Sequence, residues 1–154
     1  MLPTDFIVSS LPTLSFDAPP AITWEKFVET VGELSTPPAE WTDLETQLRN
    51  ALAEARGGEK YKRPATGASL YWKNRILAAF QEKDVLKRDE LIDKVWWDAA
   101  GELTPVASPL SKGALHTYSV RLKIALKRAL LSEKEGNAAF DRLTAETKME
   151  NILS

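Results

Sequence analysis

One stretch, residues 108–135, has apolar side chains on two sides of the helix that its periodicity predicts. At about 100° per residue, most of its apolar residues form a broad face, and a narrower stripe lies on the far side. The broad face comprises Ala114, Leu115, Tyr118, Leu122, Ala125, Leu126, Ala129 and Leu130, and the stripe comprises Val120, Ile124 and Leu131. A helix that is apolar on two sides needs neighbours on two sides. We therefore expect a compact all-α bundle of five to six helices around a central helix from Ser108 to Leu131.

Local signals predict where this helix begins and ends. Ser108 followed by Pro109 is typical of a helix start, because the hydroxyl accepts from an unpaired amide and proline fits the first helical position. Residues 132–135, Ser-Glu-Lys-Glu, form a capping-box pattern, which predicts that a last helix begins there. Its expected apolar contacts are Ala139, Phe140 and Leu143. The tail after Thr147, residues 148–154, is expected to fray.

Four further helices are predicted from caps and apolar spacing before the central one. Thr23 caps the first, Thr36 the second and Asp84 the fourth. The predicted helices cover residues 24–34, 37–56, 68–81 and 85–100. The short gap between the first two favours an antiparallel hairpin. We expect all of these helices in one domain that spans residues 1–154.

Residues 1–22 precede the helices and are interrupted by proline at positions 3, 12, 19 and 20. Proline inside a helix removes a hydrogen bond and clashes with the preceding turn. We therefore expect an extended segment packed across the bundle. Its expected apolar anchors are Phe6, Val8, Leu11, Leu14 and Phe16.

The composition is that of an ordinary globular domain, with 154 residues, 44% hydrophobic and 27% charged. The sequence has no cysteine, which excludes disulfides and thiolate chemistry and suits a reducing compartment. A formal net charge of -2 gives a weak long-range field and disfavours nucleic acid as a partner. Neither a basic leader nor an apolar run of about 20 residues is present, so we expect a cytoplasmic protein without direct membrane insertion.

Familiar catalytic sets are missing from the sequence. The single histidine, His116, falls at the edge of the central helix beside Lys112 and Lys123, without a serine or aspartate at relay spacing. Histidine and cysteine clusters that bind metals are excluded by count. The carboxylates between residues 84 and 102 alternate with lysine and arginine, which indicates a surface of ion pairs. We expect a non-enzymatic protein without a cofactor or a metal.

Residues 57–67, GGEKYKRPATG, are the clearest loop and are locally basic. Lys60, Lys62, Arg63 and the flanking Arg56 supply four cations, with one aromatic residue, Tyr61, among them. One interpretation is a solvated connector, and the other is a contact for an anion or an acidic partner. The loop lacks the Gly-Lys-Ser/Thr ending of a nucleotide-binding loop, so it is not expected to bind a nucleotide.

The pair Trp96-Trp97 offers a second candidate contact. Adjacent helical residues diverge by about 100°, so Trp97 is expected to be partly exposed if Trp96 lies in the core. Tryptophan is enriched at protein interfaces. Trp97 is therefore a candidate partner contact, and the alternative is that it covers a seam between helices.

Three stretches carry a resemblance to a known family: FIVSSLPTLSF near the start, NRILAAFQEKDVLKRDELIDKVWWD in the middle and YSVRLKIALKRALLSEKEGNAAFDRL near the end. They resemble a bacterial family of unknown function whose genes accompany those of V/A-type (vacuolar or archaeal-like) rotary ATPases. Members of that family have been likened to the central-stalk subunit that couples the rotor axle to the membrane ring. The resemblance implies V/A-type ATPase subunits as partners, at the cytoplasmic face of a membrane-bound complex. It implies no catalytic or ligand residues.

Two hypotheses follow for the function. The first is a helical accessory or coupling protein that acts by protein docking, through Trp97 and the Lys60–Arg63 surface. The second is a helical nucleic-acid-binding module, in which the fourth helix and the basic borders of the central helix, including Lys123 and Lys127, imitate a helix-turn-helix. An enzyme is a third possibility and needs a carboxylate site.

Overall fold

A computed structural model of the chain describes residues 2–34 and 36–153, with side chains described up to Ser132. This part of the chain contains six α-helices and no β-strand. The helices are α1 (Thr4–Ser10), α2 (Trp24–Val31), α3 (Ala39–Ala55), α4 (Leu70–Ala79), α5 (Val85–Ala100) and α6 (Lys112–Leu153). Short 3-10 turns cover Glu59–Tyr61 and Gly101–Leu103. The predicted all-α bundle is confirmed.

Helix α6 lies between two clusters of buried side chains, as its two apolar faces predict. Val120 packs against the first cluster, which α3, α4 and α5 build. Leu122 is fully buried in the second cluster beside Ile22 and Phe27. Since Val120 and Leu122 are two positions apart, they point about 200° from one another around the helix. The central position of this helix is therefore confirmed.

The start of α6 differs from the prediction at Ser108. Residues 105–111 form successive turns, in which the Ser108 amide donates to the Pro105 carbonyl and the Ser111 amide to the Ser108 carbonyl. The helix begins only at Lys112, where the chain passes the turn that follows α5. A Cβ on Gly113 would lie 2.0 Å from the Leu103 carbonyl oxygen, so this close approach requires glycine.

The predicted helix start at Ser132 is also wrong, because α6 continues through it to Leu153. Serine and glutamate are tolerated inside a helix at modest cost, and no proline interrupts residues 132–135. The backbone stays helical beyond the predicted fraying point at Thr147. The expected contacts of Ala139, Phe140 and Leu143 lie outside the described side chains.

The predicted caps are confirmed at two helices. Thr23 accepts a hydrogen bond from the Lys26 amide at 3.1 Å. Asp84 accepts from the Leu86 amide at 2.9 Å and from the Lys87 amide at 3.3 Å. The expected cap Thr36 is wrong, because the Pro38 carbonyl accepts the first bonds of α3 and proline keeps the residue before it extended.

The hairpin predicted for the helices of residues 24–34 and 37–56, which are α2 and α3 in the structure, is wrong as well. Helix α2 packs against α6, whereas α3 packs against α4 and α5. Their buried residues belong to different clusters, Phe27 to the second and Leu48 to the first. Because α6 separates these clusters, the short connection joins the two halves of the core.

The N-terminal segment is only partly extended. Residues 4–10 form α1, which is a correction, because Pro3 precedes the helix and the next proline is Pro12. Ile7 is buried, whereas the expected anchor Phe6 is 56% exposed. The following non-helical residues cross α6, where the Tyr118 hydroxyl donates to the Pro12 carbonyl and Arg128 Nε donates to the Phe16 carbonyl at 3.0 Å.

Substitution of Leu122 tests the central position of α6. Leu122→Ala should lower the free energy of unfolding by about 2–5 kcal/mol, because it leaves a cavity in the second cluster. Leu130→Ala is the matched control, because Leu130 is 54% exposed although the sequence placed it on the broad face. Its cost should be about 0.5 kcal/mol or less. Urea unfolding measures both values, and equal costs would contradict the described position of α6.

Candidate functional site

The loop of residues 57–69, which we term the basic loop, is held by a stripe of polar side chains on α3. The stripe consists of Asp43, Gln47, Asn50 and Glu54, which are spaced by four, three and four residues. Side chains at this spacing lie on one face of a helix. The stripe therefore runs along one side of α3, and the basic loop runs beside it in the opposite direction.

Hydrogen bonds connect the loop backbone to the stripe at several points. Asp43 accepts from the amides of Thr66 and Gly67, and Gln47 Oε1 accepts from the Ser69 amide at 2.8 Å. Asn50 pairs with both backbone groups of Arg63, accepting from its amide at 2.8 Å and donating to its carbonyl at 2.7 Å. The loop backbone is therefore held in one conformation.

Two carboxylates of the stripe are stabilised in the charged form by these contacts. Hydrogen bonds from the Thr66 and Gly67 amides hold the pKa of Asp43 below its usual value. The ammonium groups of Lys62 and Lys73 lower the pKa of Glu54, at 3.0 Å and 3.2 Å from its Oε2. Since Lys73 belongs to α4, Glu54 links that helix to the basic loop.

The four predicted loop residues, Lys60, Tyr61, Lys62 and Arg63, are all exposed. Tyr61 is 70% exposed, and the Lys60 ammonium lies 5.1 Å from the centre of its ring. Leu70 and Tyr71 are also exposed, at the start of α4, where the Tyr71 ring centre lies 5.9 Å from the Arg75 guanidinium. We term the four residues Lys60, Tyr61, Lys62 and Arg63 the loop surface. It combines three cations with one aromatic group.

Trp97 does not belong to this surface, and its expected exposure is wrong. Trp97 is only 7% exposed; its ring centre lies 5.6 Å from that of Phe16, with the two rings nearly perpendicular, and 5.2 Å from the Arg121 guanidinium. Trp96 is half-buried against the first cluster. Both tryptophans are covered because α5 has neighbours on two sides. The alternative interpretation, a cover for a helix seam, agrees with this position.

His116 and the α5 carboxylates occupy packed or paired positions. His116 is buried, and burial lowers its pKa, so the imidazole is neutral at pH 7. Asp93 lies 2.7 Å from Lys127, and Asp98 lies 2.7 Å from Arg75. These two pairs join α5 to α6 and to α4, and Asp93 is itself buried, so they are interhelical contacts. The pairing expected along α5 itself is seen between Lys94 and Asp98, at 3.0 Å. No group of three or more metal-binding side chains occurs among the residues that the structure describes.

Comparisons with known proteins add no family to this geometry. No protein-family model, no curated protein and no solved structure matches the chain. Among its described residues, no helix combines the length and apolar character needed to cross a membrane.

Sequence reasoning identified the basic loop but missed the stripe that holds it. Asp43, Gln47, Asn50 and Glu54 resemble the solvent-facing side of an amphipathic helix. Their regular spacing opposite the apolar face of α3 was the available signal. It does not reveal which backbone groups these side chains bind, because the partners lie 13–24 residues away in sequence for the loop bonds of Asp43, Gln47 and Asn50.

Substitution of Gly67 tests how the basic loop is held. A Cβ on Gly67 would lie 2.5 Å from Gln47 Nε2 and 3.0 Å from Asp43 Oδ2, so Gly67→Ala should displace both side chains and with them the acceptor oxygens Gln47 Oε1 and Asp43 Oδ2. The Thr66, Gly67 and Ser69 amides should then exchange with solvent about tenfold faster, which corresponds to roughly one lost hydrogen bond. Ala68→Ser, at an exposed neighbour, is the control and should leave these rates unchanged. Unaltered exchange in Gly67→Ala would contradict the described contacts.

The Asp43 carboxylate should give the loop contacts a defined pH dependence. Because its pKa is lowered in the folded state, its contribution is complete above the usual aspartate value of about 3.9 and disappears as the pH falls through the lowered value. Carbon-detected NMR titration should place the Asp43 midpoint below about 3.9. The Thr66 and Gly67 amide resonances should move with the same midpoint. A midpoint above this value would contradict the hydrogen bonds.

Proposed function

We propose that this chain is a non-enzymatic helical accessory or coupling protein that docks on a protein partner through the loop surface. The observation that supports it best is the display of Lys60, Tyr61, Lys62 and Arg63 on a hydrogen-bonded backbone. The sequence resemblance supplies the partner in this proposal, a subunit of a bacterial V/A-type ATPase. In this proposal, docking transmits force to the partner or fixes its position, and no covalent bond is broken.

The fixed backbone supports docking because binding orders flexible groups at a cost. Ordering side chains and loops at an interface costs about 0.5–1.5 kcal/mol for each rotamer-rich side chain, in addition to the loss of overall motion. In the basic loop, Asn50 fixes Arg63 and Asp43 fixes Thr66 and Gly67 before any partner arrives. A partner would therefore meet a preorganised surface.

The chemistry of the loop surface also fits protein recognition. Tyrosine and arginine are enriched among the residues that dominate binding energies at interfaces. Tyr61 is 70% exposed. An aromatic ring of this size is one that a protein partner can cover.

The alternative function, a nucleic-acid-binding module, receives less support, because the two lysines on which it depended have contacts within the chain. The Lys123 ammonium lies 5.0 Å from the Trp24 ring centre, and Lys127 binds Asp93 at 2.7 Å. The connection between α5 and α6 spans residues 101–111, whereas a helix-turn-helix uses a turn of about three to four residues. These contacts favour a packing role for the basic borders of α6.

Co-purification tests the proposal. The tagged chain should retain ATPase subunits from cells that contain the complex, and the Lys60→Glu/Arg63→Glu variant should lose them because it reverses the charge of the loop surface. The control is Lys83→Glu/Lys87→Glu, which makes the same charge change at exposed positions away from the loop.

Two outcomes would contradict the proposal in different ways. Absence of ATPase subunits from the unsubstituted sample would count against the ATPase as the partner. Equal retention by the Lys60→Glu/Arg63→Glu variant would count against the loop surface as the contact. Circular dichroism of each variant establishes that the bundle is still folded.

A further inference from the structure

We infer that the loop surface recognises a carboxylate-rich segment of a partner protein, in which an apolar side chain lies among the acidic ones. This inference rests on the proposed docking function and names the chemistry of the partner. The evidence for it is the charge of the basic loop, the hydrogen-bonded backbone from which its cations extend and the exposed Tyr61 ring beside them.

The local charge of the loop differs from that of the whole chain. The formal net charge of the chain is -2, whereas residues 56–63 contain four cations and one carboxylate. The Glu54 carboxylate forms ion pairs with both Lys62 and Lys73. Within the described part of the chain, Lys60 and Arg63 form no ion pair. Two cations are therefore available to the carboxylates of a partner.

Hydrogen bonds fix the backbone positions from which the Lys60 and Arg63 side chains extend. Both backbone groups of Arg63 are bonded to Asn50. Lys60 lies in the 3-10 turn Glu59–Tyr61, which the Tyr61 amide closes on the Gly58 carbonyl at 2.9 Å. The spacing of the two positions is thus set before binding, which favours one arrangement of partner carboxylates over others.

The Tyr61 ring indicates that the partner is more than an anion. It stands beside Lys60 with most of its surface in solvent. A carboxylate satisfies a lysine or arginine by a charge-assisted hydrogen bond. An aliphatic or aromatic side chain is needed to remove the ring from water. An acidic protein segment with an apolar residue supplies both.

Charge also favours carboxylates over nucleic acid at this surface. Proteins that bind DNA through its backbone typically neutralise about 6–10 phosphates, whereas the loop surface offers two unpaired cations. Glu54 and Glu59 lie among them and repel a dense row of phosphates. An acidic protein segment has a lower charge density and can place its carboxylates away from these two residues.

The test uses two synthetic helical peptides, one of glutamate and leucine and the other with glutamine in place of glutamate. Titration of the isotope-labelled chain, followed by amide NMR, should give saturable shifts at residues 60–63 with the acidic peptide alone. These shifts should weaken as salt rises, because exposed charges are screened. Lys60→Gln and Arg63→Gln should each raise Kd about two- to fivefold, as expected for exposed ion pairs. Lys83→Gln is the control and should not change Kd.

Two results would overturn the inference. One is equal binding of the glutamine peptide, which would remove carboxylates from recognition. The other is the same residues shifting with duplex DNA and not with the acidic peptide. Tyr61→Ala is an independent test and should raise the Kd for the acidic peptide. An unchanged Kd would contradict the proposed role of the Tyr61 ring in binding.

The peptide and co-purification experiments can fail separately. Binding of the acidic peptide without retention of ATPase subunits would sustain this inference and reject the ATPase as the partner. Retention of ATPase subunits that depends on Lys60 and Arg63, without acidic-peptide binding, would sustain the proposed function and reject this inference.

Discussion

The burial of α6 on two sides is the constraint on which the rest of the bundle depends. Val120 and Leu122 point in nearly opposite directions and pack in two different clusters. Helix α5 and the turn that follows it contact one side, within the cluster that α3 and α4 complete, while α2 and the N-terminal segment contribute to the other. This arrangement explains why α2 and α3, although adjacent in sequence, belong to separate halves of the core.

Two groups of basic residues serve different purposes in this bundle. Arg121 donates to the Trp97 carbonyl, and Arg128 donates to the Phe16 carbonyl while lying 3.8 Å from the Phe16 ring centre. These arginines connect α6 to α5 and to the N-terminal segment. Lys60 and Arg63 instead extend from a loop whose backbone is already bonded to α3. The packing arginines are engaged inside the domain, which leaves the loop cations as the better candidates for recognition.

Several features were predictable because their causes are local. Thr23 and Asp84 cap their helices through amides two or three residues away. The predicted exposure of Trp97 was wrong because α6 and Phe16 cover a face of α5 that helical periodicity alone leaves open. The helix start predicted at Ser132 was wrong because a capping box marks a start only where the preceding backbone is extended. The loop contacts of Asp43 and Asn50 were invisible for a related reason, since their partners are distant in sequence.

By itself, the sequence determined that the chain is helical, that the stretch of residues 108–131 carries two apolar faces and that one loop is basic. These properties follow from spacing, composition and short-range caps. Only the tertiary structure decided which element covers each face, that Trp97 is buried and that the basic loop lies along the α3 stripe. Such contacts join residues far apart in the chain, so their formation depends on how the helices pack and not on any local pattern.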